Sequence, residues 1–324
     1  EEAESVTRKA LTMDPNLMIP YITLASTLQY KAQFSEAETI LLKAIELKPD
    51  YSEAIFNLSL IQMFQGDYDN GLRNYESRFQ LKNDVKLHAQ PQLIRWYGES
   101  PEKEEKLLVI SEQGLGDTIH FMRYIPYLKN QGYKVKFCAQ ETLHSIIKES
   151  GIDSNPLTND QANQVLDGKY CPLLSLPLHL GVSHNYPIIS EPYISTKSEL
   201  IAKWKDVFAQ EERPIIGISW QGNPHTEFGY VKGRSIALEL FSKIAKTDKF
   251  RFLSLQKGFG SEQIEQCSFK DQFVKFQGLV SSSNDFLDTA AHIQNCDLVI
   301  TTDSCVAHLS GGMGKTTWVL LKAL

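Results

Sequence analysis

The run Asp297-Leu-Val-Ile-Thr-Thr-Asp303-Ser-Cys-Val-Ala-His308-Leu-Ser-Gly-Gly312, followed by Lys315-Thr-Thr-Trp-Val-Leu-Leu321, decides the fold class. Leu298 to Ile300 is a short apolar run suited to a buried parallel strand. Thr302, Asp303 and Ser304 are turn and N-cap residues, and Val306, Leu309 and Met313 recur at helical spacing. Thr317 to Leu321 reads as a second buried strand. Strand, polar turn, helix, strand is one βαβ unit, with its turn at the carboxyl end of the first strand. There the free N–H groups of a helix start face the crevice in which open α/β sheets take anionic ligands. A well-capped βα turn holding no ligand would carry the same residues, so the other turns of the chain have to decide.

Working outward, 324 residues are enough for two or three domains, each with its own core. Apolar residues make up 42%, charged residues 22%, and the net charge is −6. No basic excess points to nucleic acid or an anionic membrane, so any attraction for phosphate has to be local. No apolar run approaches the length of a membrane span. No leader-like segment follows Glu1, and the natural N-terminus is expected upstream. The five cysteines, Cys138, Cys171, Cys267, Cys296 and Cys305, are scattered, without C-x-x-C spacing. That pattern points to a reducing compartment, the cytoplasm, and away from a zinc site.

The N-terminal part is a repeat. Pro15 and Pro49 stand 34 residues apart, as do Ala10 and Ala44, Leu24 and Leu58, Tyr21 and Ile55, and Phe34 and Tyr68. Small and large residues recurring at this period are the tetratricopeptide (TPR) signature. Small positions such as Ala25/Ser59 and Ala37/Gly71 let the two helices of a hairpin approach closely. Residues 1–15 read as the second helix of an earlier repeat. The array spans residues 1–82 and offers either a surface for a protein or peptide, or a spacer. Asp67-Tyr-Asp69 matches a metal-binding D-x-D pattern, but beside Gly66 it reads as an inter-helix turn, and no metal is expected.

Residues 83–105, polar and interrupted by Pro91 and Pro101, read as a connector. Alternating strands and helices follow, giving two Rossmann-like α/β domains over 106–195 and 196–324. In the first, strand Lys106–Ile110 leads through Gln113-Gly-Leu-Gly-Asp117 into a helix over Thr118–Lys129. Val135–Ala139 is the next strand, Thr142–Glu149 a helix, and Cys171–Leu178 an apolar loop. In the second, strand Pro214–Trp220 ends in Gln221-Gly-Asn-Pro224, and a flexible stretch leads to Gly233-Arg-Ser-Ile236 and a helix to Lys246. Strand Phe250–Leu255 ends in Gln256-Lys-Gly258. Helix Glu262–Cys267, strand Phe273–Phe276 and helix Asn284–Ile293 lead back to the opening run. Three polar turns therefore share the carboxyl edge of one parallel sheet, which favours a ligand site.

Gly114 and Gly116, around Leu115, would let the backbone approach a ligand. Ile119 stands where a dinucleotide fingerprint needs its third glycine, so NAD is not expected. Asp117 at the helix start serves either as a cap or as a general base taking a proton from an acceptor hydroxyl. Arg234 offers a planar fork to a diphosphate, and Lys257 a second cation. His308 would hydrogen-bond a phosphate or sugar. Trp220 and Asn223 would wall a base or sugar pocket, with Trp220 equally suited to the core. Gly311-Gly-Met-Gly-Lys-Thr-Thr317 is no P-loop: Leu309 replaces the first glycine, and the segment runs from helix to strand, the reverse of the required order.

Taken together, Glu112-Gln-Gly-Leu-Gly-Asp-Thr118, Cys171-Pro-Leu-Leu-Ser-Leu-Pro177, Gly217-Ile-Ser-Trp-Gln-Gly-Asn-Pro224, Arg234-Ser-Ile236, Ser254-Leu-Gln-Lys-Gly258 and Asp303-Ser-x-x-Ala-His-Leu309 resemble the TPR-containing bacterial glycosyltransferases related to the lipopolysaccharide heptosyltransferases. More distantly, the layout is similar to that of TPR-bearing protein O-linked N-acetylglucosamine transferases. The resemblance implies a GT-B arrangement, with the acceptor in the first α/β domain and a nucleotide-sugar donor in the second. It implies Asp117 as base, Arg234 on the diphosphate, and Asp303, Ser304, Cys305, Val306 and His308 around phosphate and sugar. Glu262 would contact the ribose, and Gly222, Ser235 and Gln256 belong to the donor-binding motifs. Such enzymes invert at the anomeric carbon and use no metal or other cofactor, the nucleoside diphosphate sugar being substrate. They continue past the last strand with a helical tail, so the donor domain is expected to be truncated at Leu324. The competing expectation is a non-catalytic TPR adaptor with a vestigial nucleotide-sugar site.

Overall fold

The recurrence of small and large residues folds into helical hairpins, in a computed structural model that describes residues 2–83, 85–100, 105–183, 185–189, 191–227, 233–283 and 285–321. The helices are α1 (Glu2–Met13), α2 (Met18–Tyr30), α3 (Phe34–Leu47), α4 (Ser52–Gln65) and α5 (Tyr68–Tyr75). Leu24, Ala25 and Leu28 of α2 pack with Ala37, Leu41 and Ala44 of α3 and with Ala54, Leu58 and Ile61 of α4 in one core. At Gly71 a Cβ would stand 2.6 Å from Cγ of Met63, so glycine is what lets α5 close on α4. Asp67 caps α5, accepting from the Asn70 backbone N–H at 3.2 Å and its amide at 2.8 Å. The turn reading of Asp67-Tyr-Asp69 is the one the structure bears out.

Next come β1 (Ile94–Arg95), β2 (Lys106–Ile110), α6 (Leu115–Phe121), α7 (Tyr124–Asn130), β3 (Lys134–Cys138), α8 (His144–Glu149), α9 (Asn159–Asn163), β4 (Lys169–Pro172) and α10 (Leu176–His179). The four strands form a parallel sheet in the order β1-β4-β2-β3. Three expectations need correction. The connector carries strand β1 at Ile94–Arg95; residues 101–104 of it lie outside the described residues. Cys171-Pro172 is not loop but the end of β4, opposite Val109 and Ile110, where a proline's missing N–H costs no ladder bond. The helix over 118–129 is two helices, because Pro126 has no N–H to offer the Met122 carbonyl. Residues 174–188 fold with the TPR unit: the buried Arg78 guanidinium donates to the Tyr75 carbonyl at 3.2 Å, Glu76 Oε1 at 2.7 Å and Ser175 Oγ at 2.9 Å.

Then follow α11 (Ser198–Phe208), β5 (Ile215–Ser219), β6 (Arg251–Ser254), α12 (Gln277–Ser282), α13 (Phe286–Asn295), β7 (Leu298–Thr302), α14 (Cys305–Gly312) and β8 (Thr317–Leu320). This second sheet is also parallel, in the order β6-β5-β7-β8. Residues 88–173 and 189–323 make one compact unit containing both sheets. The helix expected after Gly233 is a 3-10 helix at Leu238–Lys243, as is the one expected at Glu262–Cys267, found at Ser261–Glu265. Phe273–Phe276 is not a strand: a single bridge joins Phe273 to Phe252, and the short helix α12 follows. The flexible stretch expected between Pro224 and Gly233 begins with a 3-10 helix at Pro224–Thr226; its residues 228–232, and the expected helix start at Asn284, lie outside the described residues. No helix among the described residues is long and apolar enough to cross a membrane.

Candidate functional site

In each sheet the next two strands along the chain lie on opposite sides of one strand: β3 and β4 flank β2, and β6 and β7 flank β5. Such reversals open a crevice outside the carboxyl ends of the strands. The segments leaving β2, β5 and β7 line one cavity of about 770 Å³, which gathers residues 113–117, 221–223 and 303–306.

From the first sheet, Gln113 turns the chain with φ 59°, a left-handed conformation that only a few non-glycine residues adopt. Asp117, at the third position of α6, accepts the Gly114 N–H on Oδ2 at 2.9 Å. It is half-buried, and burial raises its pKa. The Gly114 N–H and nearby His308 work the other way, and Asp303 adds to the rise. Gly116 lines the cavity too, but its missing side chain serves helix packing. A Cβ there would stand 3.2 Å from Cδ2 of His308 and 3.5 Å from Cα of Cys305, so glycine lets α6 close on α14.

From the second sheet, Gly222 makes room for Arg234: a Cβ at Gly222 would lie 2.9 Å from Nε of that guanidinium. Glu227 holds the segment carrying Arg234, accepting N–H bonds from Gly233 and Ser235 at 2.9 Å each. Burial of Glu227 opposes its ionisation, but these bonds and the Ser235 hydroxyl keep its pKa below the usual value. Asn223 lines the cavity and uses its side-chain oxygen on the His225 N–H at 3.0 Å. At the start of α14 the Ser304 hydroxyl lies 3.1 Å from Thr301 Oγ1 and makes no capping bond to the helix. Asp303, Cys305, Val306 and His308 complete this side. Burial raises the Cys305 thiol's pKa, although N–H groups of Cys305 and Val306 face it.

Several predicted residues have other work. Trp220 is fully buried among Phe241, Phe252 and Phe273 and does not border this cavity. The inward pleat position at the end of β5 puts its ring in the core. Gln256, almost buried, accepts from Ser219 Oγ and the Trp220 and Gln221 N–H groups and donates to the carbonyls of Gln221 and Phe259. It shapes the turn after β5 and has no polar atom to spare for a ligand. Lys257 borders the cavity, but its ammonium donates at 2.6 Å to each of the carbonyls of Val280 and Ser283, stopping α12. Burial lowers its pKa. Ser235 lies outside the cavity and donates to Glu227 while accepting the Gly222 N–H at 3.0 Å. Glu262 lines a neighbouring groove instead, because Gly258 and Gly260, at φ 65° and 86°, turn the chain away.

Sequence reasoning missed His88, Gln140, Phe259, Asp285, Phe286 and Thr289, all of which border the cavity. His88 Nδ1 meets Ser111 Oγ at 2.8 Å, which brings the former connector to the end of β2. Phe259, about half exposed, packs edge-on against His225 with ring centroids 5.3 Å apart. None of these stands in a motif, and only the Gly258/Gly260 turn marks Phe259 as a rim residue.

A tetratricopeptide repeat family model matches residues 20–51, so the N-terminal hairpins include a TPR. No curated protein sequence matches the chain. Among solved structures, the chain is similar to E. coli ADP-heptose LPS heptosyltransferase II, at 9% identity and TM-score 0.44, over 66% of this chain and 84% of that one. It is similar to a family 9 glycosyl transferase from Veillonella parvula, at 12% identity and TM-score 0.44, over 70% and 88%. It is also similar to an O-GlcNAc transferase mutant from Thermobaculum terrenum, at 14% identity and TM-score 0.30, over 97% and 71%.

Proposed function

We propose that the chain is a glycosyltransferase of GT-B type that moves a sugar from a nucleoside diphosphate sugar to a hydroxyl acceptor, inverting the anomeric carbon and using no metal. One observation carries this reading. A carboxylate whose proton affinity is raised by burial and an arginine fork border one cavity at the carboxyl edges of two parallel sheets. Asp117 takes the proton of the acceptor hydroxyl, the freed oxygen attacks the anomeric carbon, and the bond from that carbon to the diphosphate breaks. A positioned base of this kind supplies about 10²–10⁴-fold in rate. The departing negative charge falls to Arg234 and the amides at the start of α14. Lys257 is left out of the mechanism, its donors being held by carbonyls. The TPR hairpins supply the surface for a protein or peptide acceptor.

Thermal-shift measurement with ADP, UDP, GDP and CDP selects the donor base, since a ligand at 100 times its Kd stabilises by about 2.7 kcal/mol. With that donor, Asp117→Asn, which keeps the bond from the Gly114 N–H, should lower transfer and donor hydrolysis by at least about 10²-fold and leave nucleoside diphosphate affinity unchanged. Full turnover in Asp117→Asn removes the base from the mechanism. Binding without hydrolysis or transfer by the wild-type protein puts an adaptor in the enzyme's place.

A further inference from the structure

His120 is a titratable group close behind the cavity lining that the proposed reaction leaves unused. It lies on α6 one turn after Asp117, half-buried, and its Nδ1 is 3.0 Å from Nδ1 of His308 on α14. The ring centroids are 4.8 Å apart at 63°. His308 lines the cavity and His120 does not. The break between α6 and α7 fixes the His120 backbone. Arg123 Nε takes the His120 carbonyl at 2.7 Å, and the Tyr193 hydroxyl takes that of Ile119 at 2.8 Å. The Phe121 ring stacks on the imidazole with centroids 4.7 Å apart.

Two imidazole nitrogens at this separation share one proton, one donating and the other accepting. Burial pushes both pKa values down, that of His120 to about 3 with help from Arg123 and His308. For His308, burial and Arg123 outweigh Asp303 and Asp117. Both rings are therefore neutral near pH 7, and only their tautomers differ. Cδ2 of His308, the carbon bonded to Nε2, comes 3.2 Å from where a Cβ at Gly116 would stand. That edge of the ring thus lies against Gly116 in the first turn of α6. With its proton on Nδ1, His308 would leave a lone pair on Nε2, in a cavity that the carboxylates of Asp117 and Asp303 also line. With its proton on Nε2, it presents a donor there.

We infer that His120 is a positioning residue: its Nδ1–H donates to Nδ1 of His308 and holds His308 as the Nε2–H tautomer, a neutral donor for a diphosphate or sugar oxygen. The ligand in this statement rests on the proposed function, whereas the tautomer does not. It follows that the site gains a directed N–H without gaining a charge.

Long-range 1H–15N NMR of the full chain reads the tautomer directly. In the wild-type protein His308 should carry its proton on Nε2. In His120→Leu it should become a mixture of tautomers, and His120→Gln, whose amide can donate to Nδ1, should restore the Nε2–H form. Calorimetry with the nucleoside diphosphate selected by thermal shift should show affinity about tenfold weaker in His120→Leu, the worth of about one hydrogen bond. The bare nucleoside should bind both proteins alike, and His120→Gln should recover the loss. A wild-type His308 protonated on Nδ1, or an unchanged tautomer in His120→Leu, overturns the inference whether or not any nucleotide binds. If the tautomer shifts as stated and none of the four nucleoside diphosphates binds, the inference stands and the transferase reading fails.

Discussion

His292 sets an acid limit on the stability of the second unit. It lies on α13, fully buried, and among the described residues neither ring nitrogen has a hydrogen-bond partner. The Trp204 ring of α11 meets it edge-on with centroids 4.1 Å apart, and Phe208 lies parallel at 6.4 Å. Burial, with Lys257 and Lys203 nearby and Asp288 opposing, lowers its pKa to about 4. The fold therefore holds the neutral ring, whereas the unfolded chain takes up a proton near pH 6.5. This contribution is complete above about pH 6.5, declines as pH falls, and levels off below about pH 4. The full difference amounts to about 3 kcal/mol, of which about 2 kcal/mol is lost between pH 7.5 and pH 5. His292→Phe keeps a planar aromatic ring, slightly larger than imidazole, and removes both unpaired nitrogens. Urea unfolding of wild type and variant at the two pH values isolates the histidine, since the acidic residues act alike in both. The variant's advantage should grow by about 2 kcal/mol on acidification. Parallel loss in the two proteins, or a His292 proton signal titrating near pH 6.5, refutes the reasoning.

The other predictions concern the arginines. Gly222→Ala places a methyl 2.9 Å from Nε of Arg234, at the end of a side chain that can swing away. Its melting temperature should hold while nucleoside diphosphate affinity, read by calorimetry, falls about tenfold or more with the displaced fork; unchanged affinity would remove Arg234 from the phosphate site. Arg78→Ala leaves the Ser175 hydroxyl without its guanidinium partner and opens a hole against the rings of Tyr75 and Phe79, whose centroids lie 4.6 and 4.1 Å away. It should cost the TPR unit about 3–5 kcal/mol in unfolding experiments and expose residues 174–188 to limited proteolysis.

Where local rules and tertiary packing agree, the sequence is sufficient. Lys106–Ile110 and the Leu298 strand carry unbroken apolar runs between polar turns, and each appears as a central strand of its sheet. The period of the N-terminal repeat likewise places five helices, because Ala37 and Gly71 admit only close neighbours. Local rules fail where a partner far along the chain supplies what the segment lacks. Ile94–Arg95 is a strand only because β4 offers it an edge, and Cys171-Pro172 only because Val109 and Ile110 lie opposite. Phe273 has the composition of a strand, but its contact with β6 stops at one bridge. The candidate site divides in the same way. Glycine turns and the Asp303–His308 run mark its floor, since backbone geometry there demands particular residues. The neighbours that set the chemistry do not announce themselves. His120 reads as one more position on an amphipathic helix until α14, 188 residues later, brings His308 against it. Gln256 and Lys257 read as ligands because their partners are unknown from sequence, and both prove to be held largely by backbone groups. A motif thus identifies where a ligand can lie. Which of its polar atoms remain unspent is fixed by the hydrogen bonds that the rest of the fold makes to them.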